Sequence, residues 1–551
     1  MRDIARRDMT RKSELIAVFL VIALYTFLAF FQLGDLTSIE SFTDNTSTQT
    51  AEILFEEPVS IHRTMTFLGV YPSIQTEYRF YLGDSLVDTA EPELKNVFSW
   101  HETNLDVTAD RVRFTIPANS MLGEVGFQDP DGNLLIPSTV SPGAEKLFDE
   151  QQLVPERRTY MNSFYFDEIY HGRTAYELIH NISIYEWTHP PLGKLIITLG
   201  VLMFGAVPFG FRFMGALFGV LMLPVMYAFA KEMFRSSKAA LFCMCLMAFD
   251  FMHFTQTRIA TVDSYITFFA MCSYFFMYKH IKEEDSLGRS LRYFALSGVF
   301  FGLAACVKWT GIFAGLGLFV IFVISLFQKR RQYITRKWYF WRYVRGVVLT
   351  GICFFLLVPA ALYYLCYLPV FRTTPWIQPE NFLEHQVSMY HYHSDLTEGH
   401  PYASPWWSWP LMVKPIFYYQ QDFGNGVRAG MSSFGNPTVW WGGLIAFVMC
   451  IFYAIRDRDR KAWFLCLGYF LSFIPWAFIS RVAFIYHYFP MTVFLILMLG
   501  YIFQKLPSYK AAAAYIAVSA ALFVLFYPVI SGIPVPVWYV DTFLRWINFA
   551  F

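Results

Sequence analysis

Cysteine is missing from every polar stretch of this 551-residue chain. Its eight cysteines, Cys243, Cys245, Cys272, Cys306, Cys353, Cys366, Cys450 and Cys466, all lie in apolar segments. That excludes a disulfide framework and any cysteine-based metal spacing, and leaves small core hydrophobes. Charge is scarce as well, 15% of residues against 56% hydrophobic, so no soluble domain forms the body of the molecule. A net charge of +1 gives no electrostatic footprint for nucleic acid. Internal repeats and low-complexity tracts are lacking, and no small-residue cleavage site follows the first apolar run.

What the chain has instead is aromatic residues, 59 Phe, 34 Tyr and 15 Trp, and long apolar runs. The first, 15–33, follows Arg2, Arg6, Arg7, Arg11 and Lys12 and reads as an uncleaved signal anchor. Ten more lie near 211–231, 239–254, 260–278, 292–307, 310–328, 344–368, 438–455, 462–479, 484–503 and 511–530. Most approach the ~20 residues a helix needs to cross the hydrocarbon. One further run, 191–209, is ambiguous. With the N-terminal group, the loops between alternate spans hold 25 of the 43 Lys and Arg residues, and these share one side only if 191–209 does not cross. Pro190, Pro191, Gly200, Gly205 and Pro208 also suit a surface-lying element. The expectation is a polytopic α-helical membrane protein of about eleven spans, N-terminus in the cytoplasm and C-terminus outside.

Three regions then face outward: 36–190, 369–437 and 531–551. Within the first, "VSIHRTMTF", "EYRFYL", "RVRFTI" and "GEVGF" alternate as strands do, with turn signals in "YLGDS" and "DPDGN". This predicts a small all-β sandwich of six to nine strands, inserted over 36–155. Residues 156–210 are then juxtamembrane helices, 211–368 the second to seventh spans, 369–437 an outer loop, 438–530 the last four spans and 531–551 a tail.

Ionisable residues converge on the outer span ends: Asp167, Glu168, Lys194, Arg212, Asp250, Arg258, Asp263, Lys308, Arg481 and His487. Single groups of this kind can snorkel to the headgroups, but so many in complementary types on one side define a polar site at the membrane surface. Carboxylates offer a general base; Arg, Lys and His offer an anion clamp. An anion reaching the site from the bilayer is most simply a lipid phosphate, so the mix suits group transfer from a lipid-phosphate donor to an outside acceptor. Asp167 and Glu168, neighbours on a helix, point ~100° apart, so one serves as base and the other orients it or holds the acceptor. Read alone, the pair equally fits helix-start charges, and His189-Pro190-Pro191 an ordinary turn.

Together these stretches resemble the protein O-mannosyltransferase family, glycosyltransferase family 39 of the GT-C class. The resemblance rests on "FDEIYHG", "THPPLGKL", "FRFMGALFG", "TRIATVDSYITFF", "ACVKWTGIF", "YHYHSDLTEGHPYASPWWSWPLMVKPIFYY" and "RVAFIYHYFP", in order along 155–530. It implies an inverting transferase that moves mannose from a polyprenyl-phosphate donor to Ser/Thr hydroxyls of exported protein, without an essential metal or other cofactor. It implies Asp167 as base with Glu168 in support. It further implies donor-phosphate or substrate binding among Lys194, Arg212, Arg258, Asp263, Lys308, Arg481 and His487. His189, His400, Trp406, Trp409 and Lys414 would shape the site. A hydrolase would want a second carboxylate as acid; a lipid phosphate leaves without one. The 369–437 loop is too short for the MIR domains of eukaryotic members, and the insertion before the Asp-Glu motif departs from the family's short loop. Both favour a bacterial member at the plasma membrane and leave a cell-envelope glycan or lipid as alternative acceptor. Outside the enzyme class, a transporter predicts pseudo-symmetric halves and midplane charges, and a surface receptor would act through the β insertion.

Overall fold

The computed structural model describes residues 8–71, 74–332, 337–396, 399–506 and 509–551. Arg2, Arg6, Arg7 and Arg336, used in the charge count, lie outside the described residues. The chain divides into two compact units. One holds Gln32–His180 with Thr198–Arg212; the other holds residues up to Phe31, Asn181–Ile197 and Phe213–Phe551.

Helix α1 (Arg11–Phe30) starts at Thr10, whose hydroxyl accepts from the Ser13 amide. The first unit is built on nine strands: β1 (Gln49–Leu68), β2 (Ile74–Gln75), β3 (Tyr78–Leu82), β4 (Ser85–Ala90), β5 (Glu93–Leu94), β6 (Ser99–Ile116), β7 (Leu122–Gln128), β8 (Leu134–Leu135) and β9 (Thr139–Val140). They run β4-β3-β6-β1-β7-β8 in one antiparallel sheet, with β9 on β1 and β2 paired to β5. The expected sandwich takes the form of a single sheet folded over its own core. Strands β1 and β6 break register at Leu54/Val59 and Ile61/Arg63. Tyr78 of β3 meets Phe127 of β7 edge-on at 6.4 Å, although β6 and β1 lie between them in the sheet. Helix α2 (Glu168–Ile179) starts within the Asp-Glu motif, inside the 156–210 stretch read as juxtamembrane helices.

Helix α3 (Leu192–Phe204) settles the ambiguous run in length: thirteen residues reach about 20 Å, short of the ~30 Å hydrocarbon. The bundle continues with α4 (Pro208–Phe234), α5 (Ser237–Ala248), α6 (Phe251–Thr257), α7 (Asp263–Lys282), α8 (Leu287–Val307) and α9 (Phe313–Gln332). Next come α10 (Lys337–Gly351), α11 (Val358–Cys366), α12 (Leu368–Thr373) and α13 (Phe382–Asp395). Then follow β10 (Ile416–Gly424), β11 (Val427–Ser433), α14 (Pro437–Arg456), α15 (Arg460–Phe473), α16 (Phe489–Lys505) and α17 (Tyr509–Ser531), and finally β12 (Val535–Pro536) and α18 (Val537–Phe543).

Among the described residues nine helices are long and apolar enough to cross a membrane, and the α5–α6 pair, bent by 57°, makes a tenth. The protein is a multi-pass membrane protein. The break in that pair is Asp250, whose carboxylate accepts from the His253 and Asn436 amides and so caps α6. The eleventh expected run, 260–278, is α7: it has the length of a span, but polar and charged residues lower its apolarity. Helices α10 to α12 form one 37-residue span, Lys337–Thr373. Its turn over Ile352–Leu357 is widened just ahead of Pro359, which has no N–H and would crowd the preceding carbonyls. Glycines let α8 approach this span closely: a Cβ on Gly302 would lie 2.8 Å from the Pro359 ring. The 369–437 loop holds structure of its own, α13 and a β10–β11 hairpin turned by Asn425-Gly426, both at positive φ.

Candidate functional site

In the first unit, Asp167 ends a turn and starts α2. Phe166 before it has φ +51°, a left-handed backbone that bulky residues rarely adopt, and Asp167 itself is half-buried. Glu168 is fully buried and bound bidentately by Arg212: Nε to Oε1 at 2.7 Å and Nη2 to Oε2 at 2.7 Å. The remaining Arg212 donors reach the carbonyls of Leu33 (3.0 Å), Tyr160 (2.6 Å) and Ser163 (3.0 Å). A guanidinium has five N–H groups, and all five are occupied inside the protein. Arg212, expected to bind donor phosphate, fixes Glu168 and the loop before it.

The second unit sorts the other expected cations. Arg258 donates through Nη1 to the carbonyls of Leu28, Ala29 and Phe31, closing the C-terminal end of α1. Lys194 donates to Glu186 Oε2 (2.5 Å), Glu186 O (2.8 Å) and His189 O (2.9 Å), which takes up all three ammonium hydrogens. Both were expected at the phosphate. The structure makes Arg258 a helix-end partner and Lys194 the pin of the His-Pro-Pro turn.

That pin exposes a residue the sequence reading passes over. Glu186 is buried and collects Lys194, the Nδ1 of His189 (3.0 Å), and the amide (2.9 Å) and hydroxyl (2.5 Å) of Thr188. Its signal in the sequence is slight: one carboxylate three residues before a histidine, in an aromatic stretch without periodicity.

Two cations keep donors in hand. Lys308, extended between α8 and the turn into α9, has Asp263 Oδ1 at 3.2 Å as its one hydrogen-bond acceptor among the described residues, with the Tyr486 ring 5.6 Å away. Asp263 opens α7, where the helix dipole favours its charge. Arg481 donates one Nη1 hydrogen to Nδ1 of His393 (3.0 Å); the Nε2 hydrogen of His393 goes to the Thr188 carbonyl (2.7 Å). This fixes the His393 tautomer, and burial, then the nearby Arg481 charge, lowers its pKa to about 4. Burial likewise lowers that of Arg481. His487 stacks on Trp409 (5.9 Å) and Tyr486 (4.5 Å) and, with Asp263, lines a largely apolar cavity between α7 and α16.

The residues expected to shape the site divide. Trp409 is buried, its Nε1 donating to Ser404; Trp406 packs on Phe473; the exposed His400 lies edge-on to Phe484. His189 is 5.0 Å from His393 between ring centres, whereas Lys414 is exposed. Among the described residues one carboxylate trio could hold a metal, Glu124, Asp149 and Glu150 in the β unit. Its members already serve the fold: Glu124 accepts from Gln151 and the Glu150 amide, and Glu150 from the Glu40 and Ser41 amides.

A many-helix bundle with charges at its span ends, a carboxylate before the second span and an inserted β region is the architecture of a GT-C glycosyltransferase. The fold is shared with the S. cerevisiae Pmt1–Pmt2 protein O-mannosyltransferase complex bound to the sugar donor, with TM-score 0.58 and 14% identity over 70% of this chain and 89% of that one. The profile described as dolichyl-phosphate-mannose-protein mannosyltransferase matches 203–374, and that of the C-terminal four-span region of protein O-mannosyltransferase matches 379–548. The polyprenol-phosphate-mannose–protein mannosyltransferase of Mycobacterium tuberculosis is 25% identical over 67% of this chain and 83% of its own length. Its Corynebacterium glutamicum counterpart is 24% identical over 74% and 89%. The chain belongs to the protein O-mannosyltransferase family and is a glycosyltransferase. Neither profile reaches the β insertion.

Proposed function

We propose that the protein transfers mannose from a polyprenyl-phosphate carrier to Ser/Thr hydroxyls of exported protein, with inversion, at the outer face of a bacterial plasma membrane. The observation that carries the chemistry is the division among the cations. Arg212 and Lys194 are saturated by protein acceptors and Arg258 is engaged through Nη1 at the end of α1, while Lys308 and Arg481 retain hydrogens for an anion. In this reading the acceptor hydroxyl attacks the anomeric carbon and its proton passes to Asp167. The bond from that carbon to the phosphate oxygen breaks with its electron pair on the oxygen. Lys308, oriented by Asp263, and Arg481, oriented by His393, stabilise the charge that develops there. Glu168 acts through Arg212 by holding the Asp167 turn. The reaction asks for no metal, because the departing phosphate needs cations and no proton. The mycobacterial and corynebacterial relatives support the donor, the protein acceptor and the bacterial membrane.

The test is mass-spectrometric detection of mannosylated acceptor peptide, with purified protein and a polyprenyl-phosphate mannose donor. Asp167→Asn should lower turnover by on the order of 10²–10⁴-fold at unchanged protein yield. Equal turnover of variant and wild type removes Asp167 as the base. The β insertion favours a second reading, transfer to a cell-envelope glycan, because it lies outside both family profiles; mannose found on envelope glycan and on no exported protein would establish that acceptor.

A further inference from the structure

Helix α13 has three faces where a helix at a protein–water boundary needs two. One packs on the protein: His385 and Met389 are buried, Gln386 accepts from the Tyr363 hydroxyl (2.6 Å), and His393 bridges Thr188 and Arg481. A second is polar and exposed: Glu384, Ser388, His391 and Asp395. At ~100° per residue these four fall within an arc of about 60°. Between them runs a third, of Leu383, Val387 and Tyr390, which are 75%, 54% and 61% exposed. These three also share an arc of about 60°, centred roughly 100° from the polar one. An exposed apolar stripe beside an exposed polar stripe is stable where a third medium meets the helix.

The neighbourhood identifies that medium. The span α10–α12 ends at Thr373, nine residues before α13 begins. Leu365 and Leu368 are exposed on its last turns, and Phe382 packs against Tyr364 and Tyr367 there (5.3 and 5.1 Å). The stripe therefore begins beside the exposed apolar end of a membrane span. Exposed Trp376, a ring type that favours the headgroup level, lies between the span and the helix. We propose that α13 lies along the bilayer surface with Leu383, Val387 and Tyr390 inserted among lipids, the polar arc in water and the third arc on the protein. No Lys or Arg occurs in the helix, so apolar burial seats it and attraction to anionic headgroups does not.

The experiment places a nitroxide at V387C, Y390C, S388C or H391C in the full chain, with Cys353 and Cys366 replaced by alanine and the label-treated parent as background. The protein is reconstituted in phosphatidylcholine nanodiscs, and spin relaxation is read with oxygen, which concentrates in lipid, and with a water-soluble nickel chelate. The oxygen-to-nickel accessibility ratio should be several-fold higher at V387C and Y390C than at S388C and H391C. Equal ratios at all four positions would place the helix in water and overturn the proposal. Shielding of V387C from both reagents would overturn it too, by showing that protein, such as a second copy of the chain, covers the stripe.

Discussion

His393 shows how one hydrogen bond can define a role. Its Nε2 hydrogen is given to Thr188, so Nδ1 must accept, and the donor there is Arg481. His393→Phe removes that acceptor without adding charge. Donor KM should rise about tenfold with a smaller change in kcat, read by steady-state kinetics; an unchanged KM would detach Arg481 from the donor. Glu124 gives a pH test away from the chemistry. Burial raises its pKa to about 7. The folded state therefore holds a proton that the unfolded chain releases near pH 4.5. Stability from this group is complete below that pH and is lost as pH rises through about 7, by up to ~3 kcal/mol. Hydrogen exchange of β7 amides in the whole protein should accelerate across that window, and Glu124→Gln should flatten the response. The sequence told which charges stand at the span ends. It could not tell which are occupied, because the acceptors that hold Arg212 and Arg258 are mostly backbone carbonyls, and a carbonyl has no letter in a sequence.

At the scale of elements, the spans were legible because an apolar run of fixed length has few other uses, and the short α3 because its prolines and glycines bound it. Helix α13 was not read: its three arcs break the single apolar periodicity that marks an amphipathic helix, and the run looks like polar loop. The folded-over β sheet was legible as strands but not as one sheet, since bulges such as Leu54/Val59 leave no fixed residue type behind. Packing between α8 and the α10–α12 span rests on Gly302. Gly302→Val places methyls against the rigid Pro359 ring and should cost about 1–3 kcal/mol. Because α8 ends at Lys308, the variant should lose transfer activity along with thermal stability, while an Ala substitution at Gly288, where nothing lies within 4 Å, should change neither.

For the whole molecule, the eleven crossings expected from the sequence, an odd number, would put the ends of the chain on opposite sides of the membrane. Reporters of cytoplasmic and exported location fused to the two ends should give opposite signals, and matching signals would require one more or one fewer crossing, with α3 or α7 the element to revisit. Mannose transfer should persist in excess chelator, and activity lost to chelation and restored by a divalent cation would show that a metal takes part. Finally, Arg212 has a consequence in time. Its guanidinium gathers Leu33, Tyr160, Ser163 and Glu168, and Leu33 lies 179 residues earlier in the chain. A nascent chain emerges in order, so the turn that holds Asp167 leaves the ribosome well before the residue that fastens it. The turn is completed only after the first part of α4 has been made, which ties the geometry of the proposed base to the insertion of the second span.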